Sequence, residues 1–377
     1  MNKKIRWIIG ALIIISIMLI IGNMTIRNKK LDSKIGEESW IAYFAPSDTG
    51  ISYGDTNAHM IKIGKSGNIE VSNETAYAFP GIVNYKGDII YQTTNGIDSL
   101  KPINKKTNIL KDKNTVGYNM ADVLDNKELF YFLLNESFKD DYYSSNIIIG
   151  NEENQTLHQI KGFVNGYGDD EDNIYLLTSD MKNKYLKQIH KISVYNQEKI
   201  SINKNDIILD TIIDANNNMI IVDGYIYCFA VKAHYGVSML KISSETLQLD
   251  SIKDLIKFDS EDNDDRYYPI SANSIFYNKG KIYYPTLSGE VYSFDIKTNN
   301  FKKEFAISDY DFDSDANIIS YYSSNDSELS FLYYENKENK YCLSTYSLDG
   351  NLKDKIYLDK LKIKGKEYPH SFIKLNK

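Results

Sequence analysis

Two hydrophobic patterns divide the chain. From Ile5 to Gly22 it reads IRWIIGALIIISIMLIIG, apolar at nearly every position. Beyond residue 36 apolar residues instead alternate with polar ones, or gather in stretches of four to six between clusters of Asn, Asp, Gly and Ser. A helix rising 1.5 Å per residue needs roughly 17–25 apolar residues to cross the hydrocarbon core of a bilayer. The first pattern therefore predicts one transmembrane helix over residues 5–26, with Trp7 at its cytoplasmic edge, a short cytoplasmic tail over 1–4 and a tether over 27–36.

A cleaved secretory signal shares this layout of basic residues ahead of an apolar run. The stretch GNMTIRNKKLDSK that follows Ile21 offers no pair of small residues suited to cleavage, so a retained signal-anchor is the expectation. A lipid-modified cysteine is excluded, because the two cysteines are Cys228 and Cys342. Lys3, Lys4 and Arg6 precede the span while Arg27, Lys29 and Lys30 follow it, a nearly balanced positive-inside count. A short basic tail ahead of a long soluble body favours export of the body, which predicts a single-pass protein of the cell membrane with residues 37–377 on the extracytoplasmic side.

The second pattern predicts strands. Residues 275–305 read as a strand, a Lys-Gly turn, the strand IYYPT, a loop, the strand VYSFDI, an Asn-Asn turn and a last strand FKKEF. The same cadence recurs along the chain. NYKGDIIYQTT leads to IDSLKPINKKTNILK, LDNKELFYFLL to SNIIIGNEENQTLHQI, and DDEDNIYLLTS to KQIHKISVYNQEKISI. VDGYIYCFAV leads to SMLKISSETLQLDSI, and SNDSELSFLYY to YCLSTYSLDGNLKDKIYL. First turns fall near Gly87, Lys127, Asn173, Gly224, Gly280 and Asp326, at intervals of 40, 46, 51, 56 and 46 residues.

Four short antiparallel strands per 40–50 residues are the signature of propeller blades. Six units are complete. A seventh is split: Trp40 to Ala45, Ala58 to Ile63 and Ile69 to Ser72 supply three strands, and the C-terminal segment HSFIKLNK, residues 370–377, supplies the innermost. Closure by both termini leaves no free sheet edge. The expectation is an all-β propeller of seven blades; six or eight blades, a pair of sandwiches or a β-solenoid are the alternatives. The aromatic-rich strand after a Gly turn resembles bacterial repeats of the YVTN or quinoprotein-like type, over residues 35–377. The units lack a Trp-Asp pair ending the third strand and the S-x-D-x-G-x-x-W turn of sialidase-like enzymes. With Trp40 the sole tryptophan of the body, a quinone docked on tryptophans is a poor match. The resemblance thus implies a fold, and such folds host many functions.

Composition agrees with an all-β body. The chain holds 31 Tyr but only 6 Pro, and runs of Ala and Leu at helical spacing are nearly missing. Of 44 basic residues six lie in the first thirty positions, which carry no acidic residue; the remainder therefore sets 38 basic against 51 acidic, or −13. Such a field disfavours nucleic acid and anionic headgroups as partners of the body.

No motif announces a reaction. His59, His158, His190, His234 and His370 fall on five blades by the strand parse, none at metal-ligand spacing. Cys228 and Cys342 sit in apolar strands two blades apart and read as buried small hydrophobes. Acidic clusters at 169–172, 259–265 and 309–315 read as solvated loops. The last sets Asp309, Asp311, Asp313 and Asp315 at alternate positions, but Ser314 and Ser320 stand where a calcium loop needs Gly and Glu. No cofactor is expected beyond weak calcium binding there.

Blade geometry supplies the candidate site. The loops joining second to third strands, and those entering each first strand, share one end of the ring. The longest loops belong to that class: 46–57, 135–146, 232–236, 260–269 and 309–315. They gather Tyr53, Tyr142, Tyr143, His234, Tyr235, Arg266, Tyr267, Tyr268 and Tyr310, whereas the other end carries tight Lys-Gly, Asp-Gly and Asn-Asn turns. Tyrosine and arginine are favoured at binding hot spots. The expected function is a membrane-anchored module that binds a protein, peptide or cell-wall glycan through this face. The alternatives are an extracytoplasmic hydrolase or lyase using the same face, for which His234, Arg266 and scattered aspartates are the only candidates, and a structural part of an envelope complex.

Overall fold

A computed structural model of the chain describes residues 39–46, 57–76, 81–94, 96–100, 106–111, 119–139, 141–180, 182–215, 217–232, 234–258, 265–271, 273–307, 310, 320–323, 328–335, 337–359, 361 and 367–375. The expected tail, transmembrane helix and tether lie outside these residues. Among the described residues no helix is long and apolar enough to cross a membrane.

Seven sheets form the seven blades of a propeller. Their strands are lettered a to d from the centre outward. Blade 1 takes its a strand, Glu367–Leu375, from the C-terminal end, followed outward by Ser39–Pro46, Asn57–Gly64 and Ile69–Thr75. Blade 2 comprises Ile82–Tyr85, Asp88–Thr93, Gly96–Leu100 and Lys106–Lys111; blade 3, Asn119–Leu124, Leu129–Lys139, Tyr142–Gly150 and Gln155–Lys161. Blade 4 comprises Phe163–Asp169, Asn173–Ser179, Leu186–Val194 and Ile200–Ile208. In blade 5 the inner strand is broken into Ile213–Asp214 and Ile220–Val222, ahead of Tyr225–Lys232, Gly236–Ser243 and Leu249–Lys257. Blade 6 is Phe276–Asn278, Lys281–Pro285, Glu290–Asp295 and Asn300–Ala306, and blade 7 is Ser320–Ser323, Glu328–Glu335, Lys340–Ser347 and Leu352–Tyr357.

The ring closes as the split first unit predicts. Ser39 pairs with Leu375 and Pro46 with Glu367, and the terminal strand lies against the inner strands of blades 7 and 2. His370 Nε2 is 3.1 Å from the Ala45 carbonyl across this pairing.

Burial explains why the b strands read as nearly continuous apolar runs. Blades stack face to face, so both faces of these strands are covered, as in the stretches IYLLTS of blade 4 and IYCFAV of blade 5. Outer strands keep a wet face; Leu249–Lys257 has no fully buried residue. Alternate residues of one strand serve alternate seams. In blade 3, Phe130 and Phe132 pack toward Ile90 of blade 2, while Tyr131 and Leu133 pack toward Ile174 and Leu176 of blade 4. Among the described residues there is one such apolar cluster for each of the seven seams.

The a–b turns show why Gly recurs in the repeat. Lys86 and Gly87 have φ of 51° and 84°, and Asp223–Gly224 and Lys279–Gly280 repeat the pattern. Two successive left-handed residues define the hairpin turn whose twist matches its strands, and Gly adopts the second position without a Cβ penalty.

Two expectations need correction, and one pairing is new. Segment 135–146 is not a loop: Leu129–Lys139 and Tyr142–Gly150 form one long hairpin, with a bulge between Ser144 and Ser145. Its polar residues mimic a loop, but Asn135 and Ser145 are buried and hydrogen-bonded to each other. The five histidines occupy four blades, since His59 and His370 share the blade that the two termini build together. Blade 4 also gains an inner pairing that no pattern announced, because Asn217–Asn218 lies parallel to Gly166 and Tyr167.

Candidate functional site

The a–b and c–d turns occupy one end of the ring, and the b–c turns and d–a connections the other. At the second end a cleft of about 260 Å³ opens between blades 3 and 4. Its apolar wall is the tip of the long blade 3 hairpin. Phe138 and Tyr143 are cross-strand partners, with rings 5.3 Å apart and edge-on. Tyr143 in turn sits 5.2 Å from Phe163, the first residue of blade 4. This chain of rings fixes the wall and leaves Phe138 57% exposed. Burial, with the nearby Glu136 carboxylate, raises the Tyr143 hydroxyl above its usual range, so Tyr143 is a neutral packing group.

The floor is the crossing from blade 3 to blade 4, made by one residue, Gly162. Its φ is 109°, and a Cβ there would stand 2.9 Å from the Thr178 Cβ. Its N–H donates to the Tyr143 carbonyl at 2.8 Å, and its carbonyl accepts from Ser145 Oγ at 2.7 Å. Below it, Asn135 acts as a piece of backbone: Nδ2 donates to the Val164 carbonyl at 3.1 Å, and Oδ1 accepts from the Val164 N–H at 2.9 Å. On the blade 4 side Lys187 is buried, and its Nζ donates to Ser179 Oγ at 2.6 Å. Burial lowers its pKa, against the opposing pull of Asp214.

The rim is charged. Lys161 Nζ lies 5.1 Å from the centre of the Tyr142 ring. Lys182 Nζ approaches Asp141 Oδ1 at 3.7 Å across the mouth. Asp180 Oδ1 accepts the Lys182 N–H at 2.8 Å, Gln188 donates to Asp206 Oδ1 at 2.7 Å, and Lys204 completes the lining.

Of the predicted site residues, Tyr142 and Tyr143 meet in this cleft. The others are spread round the same end. His234, with φ of 67°, and Tyr235, 64% exposed, form the blade 5 b–c turn. Arg266, Tyr267 and Tyr268 lie on the connection into blade 6, pinned to its b–c turn: the Ser288 N–H donates to the Arg266 carbonyl at 3.0 Å and the Leu287 N–H to that of Tyr268 at 2.8 Å. Tyr267 stacks on Phe258 at 5.7 Å, with the Arg266 guanidinium 5.8 Å from its ring centre. Burial, with Asp214 and Asp265 nearby, raises Tyr268. Tyr310 packs edge-on to Tyr333 at 5.8 Å, in the seam between blades 6 and 7. Tyr53 lies outside the described residues. Tyr143, Tyr267 and Tyr310 are thus engaged in packing, while Tyr235 presents most of its ring.

Sequence reasoning missed Phe138, Lys161, Lys182 and Lys204. Lysines on outer strands look like any solvated face, and only the one-residue crossing at Gly162 brings these strands together. The remaining candidates resolve simply. His190 is buried, its Nε2 3.0 Å from Thr178 Oγ1. His158 Nε2 is 3.3 Å from the Gln197 carbonyl. Both cysteines are buried and unpaired, and burial pushes Cys228 up to about 12. The acidic run 169–172 builds the blade 4 a–b turn: Asp170 Oδ1 accepts the Asn173 N–H at 2.9 Å, and its Oδ2 accepts the Tyr175 hydroxyl at 2.6 Å. Residues 259–264 and all four alternating aspartates of 309–315 lie outside the described residues. Among those described, no group of three or more His, Cys, Asp or Glu is placed to hold a metal.

The family model for the YycP β-propeller domain matches residues 34–372. The chain therefore belongs to that family. No curated protein matches it. Among solved structures it is similar to Sqt1 of Saccharomyces cerevisiae, at 12% identity and TM-score 0.50 over 80% of each chain. It is also similar to a puromycin hydrolase, at 10% identity and TM-score 0.52, over 84% of this chain and 52% of that one. A quinonprotein alcohol dehydrogenase-like protein of Bacteroides thetaiotaomicron matches at 13% identity and TM-score 0.49, over 90% of this chain and 92% of that one. At these identities the likeness shows the fold alone. A propeller of this kind supports a binding or interaction module in general.

Proposed function

We propose that this YycP-type propeller is a membrane-tethered, extracytoplasmic binding module that takes its ligand at the end of the ring carrying the b–c turns and d–a connections. The observation that carries the reading is the cleft between blades 3 and 4, which combines an exposed aromatic wall with a charged rim on a fixed floor. Concave sites with a few convergent polar groups are the usual form of small-ligand binding on a rigid scaffold. The tether reading rests on the apolar run Ile5–Gly22. The ring also fits it: Ser39 begins its strand beside Leu375, at the a–b end. A chain held in the bilayer upstream of Ser39 would set the cleft on the side of the ring facing away from the membrane.

The test is co-sedimentation of the detergent-solubilised full-length chain with cell envelopes from which membrane proteins have been extracted. The double substitution F138A/Y142A is expected to lower binding about tenfold or more, as loss of two central aromatic contacts does. The control K86A/K279A, on turns at the other end, leaves it unchanged. Equal loss in both, or loss in the control alone, defeats the proposal.

A further inference from the structure

Resting on that reading, we propose that the blade 3–4 cleft is a subsite for one acidic sugar residue, a pyranose ring bearing a carboxylate, free or within a glycan. Three observations converge on this chemistry.

The first is size. A cleft of about 260 Å³ falls just below the roughly 300–1,000 Å³ of pockets for drug-sized ligands, so it suits a single ring.

The second is the pairing of surfaces. Phe138 is more than half exposed yet held in place through Tyr143 and Phe163. A fixed aromatic face matches the C–H face of a sugar, whereas the hydroxyls around a sugar's edge need donors and acceptors together. The rim supplies both: Asp141 and Asp180 accept, while Lys182 and Gln188 donate. A purely apolar ligand would leave those groups desolvated and unmatched.

The third is charge. The body is strongly acidic, yet three ammonium groups and two carboxylates line the cleft. Lys182 is balanced by Asp141 at 3.7 Å. Lys161 leans on the Tyr142 ring, and among the described residues neither Lys161 nor Lys204 has a carboxylate in ion-pair range. Those two ammonium groups call for an anion on the ligand. A singly charged carboxylate fits better than a phosphate dianion, whose second charge would meet Asp141 and Asp180.

The experiment is saturation-transfer NMR and calorimetry on the full-length chain in neutral detergent, with glucuronate, glucose and inorganic phosphate as separate probes. Glucuronate is expected to bind about tenfold tighter than glucose, the effect of one charge-assisted contact. The K161A/K204A substitution should remove that preference while glucose binding persists, and F138A should weaken both sugars. Unchanged thermal melting of the lysine variant, whose replaced side chains are exposed, shows that the fold is intact. Phosphate binding as tightly as glucuronate overturns the proposal, and so does equal affinity for glucose and glucuronate. Either result alongside retained envelope binding that depends on Phe138 and Tyr142 removes the ligand class but keeps the cleft as the binding end. Loss of that dependence removes the wider reading instead.

Discussion

At the residue scale, the positions that matter most are small or polar groups set where an apolar reading expects bulk. Gly162 carries the whole crossing between two blades with a φ of 109° and no room for a Cβ. Replacing it with Ala should destabilise the fold by about 2–4 kcal/mol, from backbone strain plus the clash with Thr178. Gly87 is the contrast: its φ is 84°, but nothing lies within 4 Å of a Cβ, so G87A should cost only about 1 kcal/mol. Urea denaturation of both variants checks the order, and a larger loss for G87A would contradict it.

His190 gives a pH dependence. Burial, reinforced by the Lys204 charge and opposed by Asp206, lowers its pKa to about 4. Above the unfolded value near 6.5 the group is neutral in both states and adds no slope. As pH falls from there to about 4 the unfolded chain takes up a proton that the folded ring excludes, so stability drops, by about 3 kcal/mol in all. Chemical denaturation between pH 7 and 4 should show a shallower loss for H190Q than for the parent protein; parallel curves would contradict the assignment.

At the element scale, strands were legible because their period and their turns agree. The unit at 275–305 and the Xaa-Gly turns at 87, 224 and 280 are read from residue chemistry alone. The blade 3 hairpin was not. Its polar stretch NESFKDDYYSSN has loop composition, but Asn135 and Ser145 form a buried network that substitutes for backbone pairing at the blade 3–4 seam. Pattern reading assumes that polar means wet, and it fails where a polar side chain ties one sheet to the next. The N135A substitution should cost about 2–4 kcal/mol by leaving the buried Val164 amide and carbonyl without their partner. Amide hydrogen exchange should then quicken first at Val164 and Gly162; protection at Val164 equal to that of the parent would argue against this role. The candidate cleft was half legible for the same reason. Tyr142 and Tyr143 lie in a segment whose placement follows from strand order, whereas Lys161 and Lys204 come from outer strands of two blades that only the fold sets side by side.

At the scale of the whole molecule, seven seams with one apolar cluster each among the described residues form a closed ring in which every blade packs against two others. The C-terminal strand makes that closure. Phe372 packs in the seam to blade 7, and Ile373 and Leu375 in the seam to blade 2. Deleting residues 367–377 should uncover the edge of Ser39–Pro46 and open two seams together, giving aggregation or non-cooperative melting rather than a modest drop in stability. A cooperative, monomeric truncation would contradict the account of closure. The same pairing sets polarity: the chain joins the ring at the end of tight turns, and the cleft opens at the other.

That polarity and the cleft together make the central claim, and one measurement addresses both. A photo-crosslinking residue placed at Tyr142 in the full-length chain, and in a second protein at Lys86, is activated in intact cells that produce it. The account predicts adducts with envelope ligand at position 142 and only lipid or no adduct at position 86. Ligand adducts confined to position 86, or lipid adducts at position 142, would contradict it.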